Sequence, residues 1–177
     1  MPRHSLLRPA AGAACAAAML IGFSSGLAAA DALVGKTFPP YPDGFVELQG
    51  ACVTGAAPGG QVCDYGLLVL GKPAVDAQEP IPVQLLASRN IEPGATTARW
   101  RVVDAVTVPK PRKGYGLQIA SCRIDGVDAA VVAFVRHNDR DEYSRDVRWA
   151  RHFDIANGKL LPIASKRVDC VNEGFGV

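Results

Sequence analysis

The chain has 177 residues, 49% of them hydrophobic and 20% charged, which is enough to bury a core in one domain and shows no break in composition that would mark a second. Its formal charge of +2 belongs to the first eight residues, since without Arg3 and Arg8 there are 17 basic against 17 acidic side chains. A neutral domain has no global field to gather nucleic acid, so nucleic acid is not expected as a partner.

The N-terminus reads as a cleavable export signal over residues 1–30. Arg3, His4 and Arg8 form a positive start, residues 10–30 are uncharged with Met19, Leu20, Ile21 and Phe23 at their centre, and Ala28, Ala29 and Ala30 supply the small residues a signal peptidase accepts. The apolar centre is interrupted by Gly12, Gly22, Ser24, Ser25 and Gly26 and is shorter than the ~20 residues of a membrane span. Cleavage after Ala30 leaves a single domain over residues 31–177, with no transmembrane segment and a periplasmic or secreted address.

In that domain, short apolar or alternating runs rich in Val, Ile and Leu predict strands at 45–53, 62–70, 81–87, 99–108, 117–124, 129–135, 147–155 and 159–168. The expected fold is mainly β: an antiparallel curled sheet, small barrel or sandwich of about seven to eight strands. Pro-rich stretches at 39–42 and 73–82 read as extended coil. Asp125-Gly126 and Asn157-Gly158 have the residues of two-residue type I′ turns. In the run at 147–155, Val147, Trp149, Phe153 and Ile155 fall on one side and Arg148, His152 and Asp154 on the other, with Arg151 breaking the apolar stripe. Residues 139–149 place Tyr143 and Val147 four apart and could begin as a short helix, so at most one or two helical turns are expected there.

Without the signal, Cys52, Cys63, Cys122 and Cys170 remain, an even count in a small exported domain and the mark of a disulfide framework. Four cysteines allow three connectivities. The expected one staples Cys52 to Cys63 around the loop holding Gly55, Pro58, Gly59 and Gly60, and leaves Cys122 for Cys170. Zinc would need closely spaced cysteine pairs, which the sequence lacks.

Charge is uneven along the chain, with 3 basic and 7 acidic residues in 31–98 but 14 basic and 10 acidic in 99–177. Complementary pairing between the two halves inside one fold is the structural expectation. Catalytic signatures are missing: none of Ser88, Ser121, Ser144 and Ser165 lies in a Gly-x-Ser-x-Gly turn, and only His137 and His152 remain as imidazole bases. Asn138, Asp139, Asp141 and Glu142 beside His137 depart from the spacing of a Ca²⁺ loop and sit next to Arg136 and Arg140, so neither a metal nor any other cofactor is expected.

One local feature stands out. Lys110, Arg112 and Lys113 lie among Pro109, Pro111, Gly114 and Gly116, with Tyr115 in the same loop and Trp100 on the preceding strand, and no acid occurs between Asp104 and Asp125. As plain structure this is a solvated hairpin whose cations keep an edge from pairing with other chains. As a site it would hold an anionic envelope component, a glycan or lipid headgroup, or an acidic groove of an envelope protein, by charge and stacking.

The order Trp100, Cys122-Arg123, an apolar strand ending near Arg136, then Val147-Arg148-Trp149-Ala150 and Cys170-Val171-Asn172-Glu173 resembles small exported bacterial proteins of unassigned function. The resemblance covers roughly the last 80 residues and implies a bacterial periplasmic address and no activity. The expected function is therefore a non-enzymatic binding or accessory protein of the cell envelope. The alternatives are a small envelope-acting hydrolase with His137 or His152 as base, or an inhibitor of such an enzyme.

Overall fold

The structure, a computed structural model, describes residues 30–55, 63–73, 79–93 and 95–176. Residues 1–29, nearly all of the segment expected to be an export signal, and part of the Cys52–Cys63 loop lie outside the described residues. In chain order the strands are β1 (Thr37–Phe38), β2 (Val46–Val53), β3 (Tyr65–Lys72), β4 (Ile81–Asn90), β5 (Trp100–Thr107), β6 (Gly116–Ile119) and β7 (Cys122–Ile124). They continue as β8 (Val127–Ala129), β9 (Val131–Val135), β10 (Tyr143–Ser144), β11 (Val147–Asp154), β12 (Lys159–Pro162) and β13 (Val168–Val171).

All pairings are antiparallel and form three sheets, ordered β1-β5-β4-β3-β2, β12-β11-β9-β6 and β10-β13-β7-β8. The first sheet curls so that β5 runs beside β12 and β2 beside β6, and the first two sheets enclose one apolar interior. Phe153 sits in it at 1% exposure, with Leu67, Val69, Leu85 and Phe134 around it. A buried side chain of that size contributes roughly 2–3 kcal/mol. Asp104 of β5 closes the β5/β12 seam by accepting from the Leu160 amide at 2.8 Å and from Lys159 at 3.2 Å.

β9 is apolar at every position because both of its faces are covered. Val132 and Phe134 point into the interior, while Val131, Ala133 and Val135 face the third sheet, where Cys122, Val168 and Cys170 complete a second core. A third core covers the outer face of the first sheet, with Leu33 and Phe38 packed on Leu70, Leu86, Val102 and Ala105.

The mainly β, disulfide-stabilised fold is as expected, with more and shorter strands than the seven or eight read from periodicity. The run 117–124 divides at Ala120, whose φ of 55° turns the chain from the second sheet into the third. The run 159–168 divides after Pro162, where a short 3₁₀ turn (Ser165–Arg167) intervenes. No helical turn forms at 139–149; β10 lies there, paired to β13. A bulge between Val147 and Trp149 also reverses the alternation of β11. Trp149 and Phe153 face the interior but Val147 faces the second core, so the four apolar residues do not share one side. Arg151 makes no ion pair among the described residues, and its Nε is buried without a hydrogen-bond partner there.

Asp125-Gly126 is the expected turn, with φ of 51° and 83° joining β7 to β8. Asn157-Gly158 is not: Asp154 pairs with Lys159 across a four-residue connection in which Gly158 takes φ 63° and Asn157 does not enter that region. The Asp154 carboxylate accepts from the Asn157 amide at 3.2 Å and side chain at 2.7 Å, giving the chain a local alternative to the two-residue turn. Those bonds to Asn157 hold the Asp154 carboxyl below its ordinary range.

Both expected disulfides are present. Cys52–Cys63 joins the end of β2 to the approach to β3, and Cys122–Cys170 joins two residues directly opposed between β7 and β13. The charges do not pair half against half. Of the eight ion pairs among the described residues, seven lie wholly within 99–177, including Arg123–Asp169 at 2.8 Å, and Arg99–Glu92 alone crosses the division.

Candidate functional site

Residues 108–115 connect β5 to β6 at one end of the enclosed interior. Val108 donates to Val83 O at 3.0 Å, the Tyr115 amide donates to Arg112 O at 3.0 Å, and Gly114 takes φ 82°, a backbone conformation glycine adopts without strain. Pro109 and Pro111 fix φ between these anchors and stiffen the loop. Lys110, Arg112 and Lys113 are exposed, and among the described residues none has a carboxylate partner.

Tyr115 is not part of the exposed surface. It is buried at 9% exposure as a member of the interior, because the residue before β6 turns inward. Its hydroxyl donates to Asp146 Oδ1 at 2.7 Å and accepts from Arg136 Nη2 at 3.1 Å and Arg148 Nε at 2.8 Å. Arg136 also meets Asp146 Oδ2 at 3.2 Å, and both guanidinium carbons stand over the Tyr115 ring, at 4.9 and 5.7 Å from its centre. Contact with the Tyr115 hydroxyl, and after it the Asp146 charge, holds the Arg148 guanidinium above its ordinary value. Two arginines against one aspartate leave this cluster positive beside the loop.

Trp100 lies elsewhere. It begins β5 while the loop follows the end of that strand, and seven residue steps at about 3.3 Å put roughly 23 Å between them. The tryptophan therefore cannot stack on a ligand held by Lys110, Arg112 and Lys113.

Beside the loop, the β2/β6 seam opens into a cleft of about 480 Å³. Leu48, Pro111, Leu117 and Phe134 line it, with Glu79 and Gln49 at its polar margin. Sequence reasoning did not find Arg136, Arg148, Asp146 or this cleft. Their strands are far apart in sequence, and only the pairing of Gly116 with Val135 shows that Arg136 stands next to Tyr115.

The two histidines have different settings. His137 is held at both ring nitrogens, by Gln118 Nε2 at 3.3 Å and Asn172 Oδ1 at 3.0 Å. Ser121 donates to Gln118 Oε1 and not to the imidazole. A neutral ring with Nδ1–H donating to Asn172 and Nε2 accepting from Gln118 satisfies every contact, which suits a structural role. His152, half-buried on β11, makes no side-chain hydrogen bond among the described residues.

Among the described residues no helix is long and apolar enough to cross a membrane. This and the two disulfides are compatible with an extracytoplasmic protein. Comparison with protein-family models, with curated proteins and with solved structures finds no match, and no family is shown for the chain.

Proposed function

We propose that the protein is a non-enzymatic binding protein of the cell envelope, exported to the periplasm or secreted, which holds an anionic envelope component on Lys110, Arg112 and Lys113. One observation carries this reading. Eight of the fourteen basic residues in 99–177 sit against a carboxylate, whereas these three are clustered, exposed and without one among the described residues. The positive Arg136–Arg148 cluster stands behind them, so the local field persists where the net charge of the domain is zero. The apolar cleft alongside offers a place for the hydrocarbon of a lipid whose headgroup meets the loop.

Phosphatidylglycerol vesicles are a suitable probe. The protein should sediment with them at low salt and be released as salt rises, because exposed charges are screened over about 8–10 Å at physiological ionic strength. Replacing Lys110, Arg112 and Lys113 together by Ser should weaken binding at least tenfold and leave the melting temperature within about 2 °C, since exposed charges contribute little to folding. Equal binding by the triple variant and the parent would remove the loop as the working surface.

A further inference from the structure

The outer face of the first sheet carries a second cleft, distinct from the cationic end and untouched by the reading above. It is a trough of about 240 Å³ between the segment around Tyr41 and the strands β2 to β5. We propose that it binds a quaternary ammonium group.

The trough opens where side chains are missing or small, between Leu68 and Trp100. Gly50 of β2 and Gly66 of β3 both border it, and Ser88 of β4 adds only a hydroxyl. Glycine inside a strand costs stability and marks a place where something approaches the backbone closely. At Gly66 the approaching group is Trp100: a Cβ there would stand 3.3 Å from the indole, so the ring lies directly on the strand. At Gly50 it is Glu47, whose Oε1 stands 3.4 Å from the position a Cβ would take. The other oxygen, Oε2, accepts from the Tyr41 hydroxyl at 2.5 Å, which fixes the carboxylate in place. Phe38 lies 5.6 Å from Tyr41, ring centre to ring centre, and completes an aromatic wall.

Glu47 has no cationic partner among the described residues, so the trough presents one uncompensated negative charge between aromatic rings. That combination selects a cation with an apolar surface. Glu47 Oε1 and the Ser88 hydroxyl stand at the trough as side-chain acceptors, and aromatic and aliphatic groups make up much of the rest of its lining. A primary ammonium is a compact, strongly hydrated charge that gives up water for its three donors on meeting aromatic and aliphatic surface, at a cost. A quaternary ammonium brings none and presents methyl groups to the rings.

Choline tests this, titrated into the full chain by calorimetry. Saturable binding is expected, at least tenfold tighter than that of 3,3-dimethylbutanol, which has the same shape without the charge. Glu47→Gln should weaken choline binding at least tenfold. Gly50→Ala makes only ordinary van der Waals contacts with the protein, so it should melt like the parent while filling the floor and abolishing binding. The proposal is overturned by absence of saturable choline binding, by equal or tighter binding of dimethylbutanol or of a neutral disaccharide, or by parental affinity in either variant. Because none of these residues belongs to the cationic loop, the Lys110/Arg112/Lys113 triple variant should bind choline normally, and its failure to do so would also count against a separate site.

Discussion

Replacing Cys122 and Cys170 together by alanine should lower the melting temperature by about 8–16 °C. The bridge closes a loop with a sequence separation of 48 residues, for which the chain-entropy model gives about 4 kcal/mol, and 1 kcal/mol moves the midpoint of a domain this size by roughly 2–4 °C. Both cysteines are buried, at 2% and 0% exposure, and belong to the second core. Their loss also removes packing against Val131 and Val135, so the effect should sit at the upper end. Cys52–Cys63 closes a separation of 11 residues and Cys52 is exposed, so its removal should cost less and it should be the first bridge opened by mild reductant. Thermal melts of the two double variants, with thiol counting during reduction, measure both effects. A midpoint unchanged to within about 2 °C in the Cys122/Cys170 variant would show that the core holds β7 to β13 without the bond.

Asn172→Ala should cost about 3 kcal/mol, the range expected when buried polar groups lose their partners. The side chain is 4% exposed just beyond β13 and ties three segments together. Its amide donates to Asn138 O at 2.7 Å and Asp141 O at 2.5 Å, and its carbonyl accepts from His137 Nδ1 at 3.0 Å, Asn138 N at 3.3 Å and Gly174 N at 3.2 Å. Alanine leaves each of those groups without its partner. Asn172→Asp is the sharper test, because it is the same size and keeps an accepting oxygen, yet it must face two backbone carbonyls with no donor. Chemical denaturation should rank the parent above both variants. An Asp variant as stable as the parent would mean the two donated bonds contribute nothing.

What the sequence discloses is local, and what it conceals depends on register. Asp125-Gly126 is legible because two adjacent residues must adopt positive φ and few pairs do so readily. Asn157-Gly158 carries the same letters, but the carboxylate of Asp154 three residues back captures Asn157 and lengthens the turn. The apolar run 131–135 is readable as a strand, whereas the covering of both its faces appears only when β7 and β13 are placed against it. Helical spacing at Tyr143 and Val147 misleads because the segment takes its hydrogen bonds from β13 and Asn172 in place of its own backbone. At the candidate site, prolines and glycines around three cations disclose the loop itself. They carry no information about its depth, so Tyr115 is misplaced on the surface and Trp100 is joined to a loop at the opposite end of its strand. Gly50 and Gly66, each inside an apolar run, were the available signal for the trough.

β9 is held in common by the enclosed interior and the bridged layer behind it. A boundary that let either layer be exchanged, duplicated or inherited separately would leave one side of Val131–Val135 bare. The two layers are therefore bound to vary together: a change of volume at Val132 or Phe134 is transmitted through the same five residues to the packing around the Cys122–Cys170 bridge, and sequence drift on one side is constrained by what the other will accept.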